Sequence, residues 1–222
     1  TWIILYMSTI KVIKDLPDTE TQAMILPVIE GAYEDVKNLI PELPQEIEVH
    51  FDDWCLIPDL GTGAAAYDPN TLVLYFDKEF KGDLGAQIKD LHATVFHEAF
   101  HIAHGWTFES NTAVGDRAGT AIEQAFYEGC AIVFERDYAD SKTPIGDYSK
   151  LDNVNELFRE IRSLDEDYDV EAWKFWYEEK KEKWLLYRIG TWMIDEYLRK
   201  HKEKTVLDLL QLKTEDILQA LA

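Results

Sequence analysis

Thiols are scarce in this chain: among 222 residues only Cys55 and Cys130 are cysteine. They share no C-x-x-C spacing, so neither a four-thiolate metal site nor a disulfide framework is available. A reducing compartment, the cytoplasm, is the expected setting. Positive charge is also in short supply. Lys and Arg number 22 against 43 Asp and Glu, for a formal net charge of −21. Such a surface repels phosphate backbones and anionic headgroups, so neither nucleic acid nor a membrane surface is expected as a partner. No apolar run approaches the roughly 20 residues that a membrane span requires. The apolar opening, Trp2-Ile3-Ile4-Leu5-Tyr6-Met7, is too short and lacks the basic flank of a signal peptide. It reads as a first strand or as residues foreign to the natural chain. Internal repeats and low-complexity tracts are missing as well.

Core-forming material is plentiful. Hydrophobic residues make up 46% of the chain, with 7 Trp, 11 Tyr and 10 Phe, enough for one large domain. From Asp18 to Ile40, apolar residues recur at three- and four-residue steps behind a capping Asp18 or Thr19, which predicts a helix kinked or started at Pro27. Ile47, Val49 and Phe51 alternate with Glu46, Glu48 and His50, the pattern of a strand with one wet face. Gly61-Thr62-Gly63-Ala64-Ala65-Ala66 reads as a flexible loop rather than a phosphate cradle, because a strand, Thr71 to Phe76, follows it. That strand could pair with an extended substrate or be a plain sheet strand. Helices are expected over Leu84 to Gly105 and over residues 119–138. A long helix is expected to carry Trp173, Tyr177, Trp184, Tyr187, Thr191, Ile194 and Leu198 on one stripe. Strands early and helices late predict an α+β fold. The turn-rich stretch after Tyr138 separates a catalytic part, 1–138, from a helical part, 139–222, of the same domain.

The chemistry lies in His97-Glu98-Ala99-Phe100-His101, an H-E-x-x-H pattern. Residues four apart on a helix differ by only about 40° around its axis, so both imidazoles can meet one metal. Leu84, Ile88, Leu91, Val95 and Ile102 form a separate stripe able to bury against a sheet, leaving His97 and His101 free to face a cleft. Two neutral imidazoles on Zn²⁺ leave room for one more protein ligand and a water. Glu98, next to the first ligand, can take that water's proton as general base.

The third ligand must come from elsewhere. His104 has the right side of the helix but sits at its end, where three ligands from one segment would make a poor tetrahedron. Glu128 lies among Ala125, Phe126, Gly129, Cys130, Ala131 and Ile132, where an unpaired carboxylate would cost several kcal/mol to bury. A bound cation would remove that cost, and the small neighbours would allow close approach to the H-E-x-x-H helix. Glu123 is the rival, and Asp116 could orient a ligand histidine.

His97 to His101, followed by Tyr127-Glu128-Gly129-Cys130-Ala131, resembles the predicted Zn-dependent proteases of the DUF2268 group. Those proteins are gluzincin-like, with an E-G-x-A segment after the H-E-x-x-H. Gly61 to Phe76 and Tyr187-Arg188-Ile189-Gly190 are similar to the group's glycine-rich loop and strand and to its late Tyr-x-x-Gly helix. The resemblance covers most of residues 45–200 and is specific at the first two motifs, with Cys130 where a larger aliphatic residue is usual. It implies a zincin-like fold, a small mixed sheet with an active-site helix, whose site Glu128 completes. It also implies hydrolysis of a peptide or protein substrate. It favours Tyr187 as an oxyanion donor, although by its own spacing Tyr187 reads more readily as one more ring in its stripe. Two other functions are weighed: a non-catalytic zinc-binding or interaction module, and a regulatory peptidase cutting one protein partner, suggested by His104.

Overall fold

The computed structural model describes residues 10–14, 18–112, 120–165 and 167–222; the apolar opening and Asp116 lie outside them. The chain forms two compact units, Thr1–Glu109 and Ser110–Ala222. The turn-rich stretch after Tyr138 lies inside the second of these.

The first unit is built on a four-stranded mixed sheet. β1 (Ile10–Lys14), β2 (Ile47–Phe51), β3 (Thr62–Asp68) and β4 (Thr71–Phe76) stand in the order β1-β2-β4-β3. β2 is parallel to β1 and β4, and β3 is antiparallel to β4. β2 buries Ile47, Val49 and Phe51, the three residues its alternation assigns inward. The Gly-Ala stretch read as a flexible loop is therefore strand β3. It also takes the sheet edge, with β4 paired on both sides. Gly and Ala carry little strand signal of their own. Gly63 is required by space: a Cβ there would lie 1.9 Å from the Cys55 carbonyl oxygen.

Two long helices pack in this unit. α1 (Thr19–Leu39) starts at Asp18, whose carboxylate accepts from the Thr21 N–H, and keeps Pro27 inside it. α2 (Leu84–His104) is capped by Asp83 and closed by Gly105 in the left-handed conformation at φ 72°, a backbone that favours glycine. α2 packs on α1 and on β3. Three polar links tie it to the β3 side: Gln87 Nε2 donates to the Gly61 and Asp77 carbonyls at 2.8 Å, the Thr62 hydroxyl donates to Asp90, and the Ala66 N–H donates to Glu98. The spacings agree. Thr62 to Ala66 spans roughly 13 Å of strand and Asp90 to Glu98 roughly 12 Å of helix, so the two run side by side in the same sense. The apolar stripe is only partly buried: Leu91 and Val95 are inside, but Leu84 is 53% exposed. From Val95 to Ile102 every side of α2 is buried.

A short helix, α3 (Phe108–Thr112), leads into the second unit, which is mainly helical. α4 (Ala121–Ala139) opens with a capping box between Thr120 and Glu123. It is followed by α5 (Val154–Arg162), α6 (Val170–Lys174), α7 (Leu185–Lys200) and α8 (Thr214–Leu221). The aromatic stripe from Trp173 to Leu198 does not lie on one helix. Between α6 and α7 runs a small hairpin, β5 (Trp176–Tyr177) with β6 (Glu182–Lys183), and Lys181 and Trp184 have φ of 56° and 55°. Left-handed backbone at two positions breaks a helix that periodicity alone would continue. α4 and α7 form the most extensive helix pair of the unit. The architecture is mixed α+β, and no helix among the described residues is long and apolar enough to cross a membrane.

Candidate metal site

The two histidines of α2 meet as their spacing requires. Their Nε2 atoms lie 3.0 Å apart and the rings cross edge to face at 74°. Two nitrogens bound to one tetrahedral zinc at 2.0–2.1 Å would stand about 3.3 Å apart, so this pair is close to one edge of such a site. Both rings are deeply placed, His97 at 9% and His101 at 4% exposure.

Glu98 is 8% exposed, and its Oε2 accepts the Ala66 N–H at 2.7 Å. The carboxylate therefore has a fixed orientation, set by a backbone donor on the edge strand. The thiol of Cys55 feels it: burial first, then the charge of Glu98, pushes that thiol up to about 12. Both cysteines are free thiols. The position of Glu98 was legible in the motif, but the Ala66 donor was not, because a backbone amide leaves no mark in a sequence.

Glu128 lies on α4 at 6% exposure, between Phe126 and a fully buried run from Gly129 to Phe134. Its Oε1 pairs with the Lys174 ammonium at 3.1 Å. The cation that its burial demands is thus present in the chain itself, and burial alone no longer argues for a metal. Lys174, the last residue of α6, also stands 5.8 Å from the centre of the Tyr187 ring. Burial lowers the pKa of this ammonium, while Tyr187 and Glu128 raise it, and the net direction is upward. The Tyr168 hydroxyl is buried and makes no hydrogen bond to any described residue. Burial pushes it up to about 12, with Lys174 opposing and Glu128 adding. Neither Lys174 nor Tyr168 was found from the sequence. A search for the counter-charge of a buried acid, among only 22 basic residues, would have been the one available signal.

The small residues beside Glu128 have a local purpose. A Cβ on Gly129 would meet the Gly190 backbone at 2.3 Å, and one on Gly190 would meet the Ala125 carbonyl oxygen at 2.0 Å. They form the close crossing of α4 with α7.

The donor atoms of His97, His101 and Glu128 lie within 4.8 Å of one another, a group that could hold a metal ion. Two ring nitrogens and a carboxylate are a donor set suited to a divalent transition ion. Glu98, His104 and Glu123 fall outside the group. Glu123 is engaged in the capping box, where its Oε2 accepts from Thr120 N and Oγ1 at 2.7 and 2.9 Å. His104 packs edge-on against Phe100. No protein-family model, no curated protein and no solved structure matches the chain.

Proposed function

We propose that the chain is a zinc-dependent metallopeptidase of zincin-like arrangement, with His97, His101 and Glu128 as the metal ligands. The observation that carries this reading is the convergence of these three donors beside an acid, Glu98, held in one orientation by the Ala66 amide. A zinc ion held there would acidify a bound water and polarise the scissile carbonyl. Glu98 keeps its second oxygen for the proton of the attacking water and later returns it to the leaving amine. The edge position of β3 supports a substrate chain lying in extended form along it. Tyr187, beside Lys174, remains the residue proposed to donate to the developing oxyanion.

Metal analysis together with peptide hydrolysis tests the reading. One zinc per chain is expected, with His97→Ala and Glu128→Gln each weakening it by about 10- to 100-fold or more. Glu98→Gln should retain the metal and lose on the order of 10²- to 10⁴-fold in turnover. A Glu98→Gln protein that hydrolyses peptides as fast as the parent would end the proposal.

The Lys174–Glu128 ion pair favours a second reading, a non-catalytic module in which the acid is structural. A protein that binds zinc fully and cleaves no member of a broad peptide library would be that module.

A further inference from the structure

Glu128 sits in a wall of buried apolar side chains, from Ala125 and Phe126 to Phe134. A carboxylate in that setting needs a positive partner. Lys174 is built to be one. Its helix, α6, begins at Asp169, whose carboxylate accepts the Ala172 N–H at 3.0 Å. The preceding residue, Trp173, is buried and packs edge-on against Tyr177. The helix is thus anchored just ahead of the lysine, and the ammonium reaches Glu128 Oε1 at 3.1 Å with the Tyr187 ring centre 5.8 Å away.

We infer that Lys174 is a built-in competitor of the metal for Glu128, which keeps the site stable without an ion and lowers its affinity for one. This inference rests on the reading that His97, His101 and Glu128 bind a divalent cation. Two neutral imidazoles and one carboxylate would reduce a divalent ion to a net charge of one. With Lys174 already on the carboxylate, the same assembly carries a net charge of two in a poorly solvated place. Like charges confined together weaken binding of the second. The site would therefore fill only above a threshold of metal activity, a form of regulation by metal supply.

The test is zinc affinity by chelator competition, with thermal unfolding, on the parent, Lys174→Met, Lys174→Arg and His97→Ala. Lys174→Met should bind zinc on the order of tenfold or more tightly. Its metal-free form should melt lower, and zinc should raise its midpoint more than the parent's. Lys174→Arg should keep the parent affinity. A merely structural lysine would leave zinc affinity unchanged or reduce it on removal, so an equal or weaker affinity in a folded Lys174→Met overturns the inference. Should that variant fold only with zinc, the competition is supported, and Lys174→Gln supplies the affinity comparison. If His97→Ala binds zinc as well as the parent, the metal-site reading falls and this inference falls with it. If His97→Ala loses zinc while Lys174→Met is unchanged, only the role of Lys174 is lost.

Discussion

The Ala66 amide and the Cys55 thiol report on Glu98 from two directions. The amide donates to its carboxylate at 2.7 Å, and the thiol is raised by burial and by the same negative charge. Because the thiolate is the nucleophile, a thiol pushed up to about 12 should be alkylated slowly across pH 7 to 10, with the rate still climbing at the upper end. Glu98→Gln removes a negative charge, which lowers the Cys55 pKa and should speed alkylation at any pH in that range. Mass-spectrometric rates of iodoacetamide labelling in native protein would show it. Equal rates in the two proteins would mean that the Glu98 carboxylate is not beside Cys55. This readout is independent of metal and of activity. Cys55 is half-buried and Cys130 is buried and raised by burial alone, which also shows how little their number in the sequence says about their reactivity.

At the scale of elements, the crossing of α4 and α7 depends on two glycines. Gly190→Ala should destabilise the protein by about 1–3 kcal/mol or more, since its new methyl meets backbone that cannot turn aside. In a chain of this length that is roughly 2–4 °C of melting temperature per kcal/mol. Adding Gly129→Ala should cost less than a second full penalty, because both methyls strain the same contact. Gly31→Ala is the control. It is an exposed position inside α1 with nothing within 4 Å of a new Cβ, so helix propensity should stabilise by about 0.5–1 kcal/mol. Destabilisation at Gly31 with none at Gly190 would contradict this account of the glycines. The element ranges themselves divide by the kind of signal each carries. Helices with caps were readable: Asp18 and Gly105 stand at the ends that the sequence assigns them. β3 was not, because its Gly-Ala composition is shared with loops and only its ladder with β4 makes it a strand. The stripe from Trp173 to Leu198 is not one helix, because Phe175 to Trp184 keeps a helical spacing of rings while folding as a hairpin.

For the whole molecule the dominant quantity is a net charge of −21. Its self-repulsion acts over the Debye length, about 30 Å at 0.01 M salt and about 8 Å at 0.15 M. Raising salt between those values should therefore raise the melting temperature of the metal-free protein. Exposed pairs such as Arg199 with Glu196 weaken with salt but contribute little each. A melting temperature that falls with added salt would show that such pairs outweigh the net charge.

What the sequence alone determined is what short-range periodicity can encode: two imidazoles one turn apart on a capped helix, an acid beside them, and a second acid in an apolar helix whose burial demands a cation. The tertiary structure decided which groups answer those side chains. Ala66 reaches Glu98 across 32 residues and Lys174 reaches Glu128 across 46. Such partners are a backbone amide and one lysine among many, and neither carries a local pattern. Only the packing of β3 against α2, and of α6 against α7, brings them within hydrogen-bonding distance.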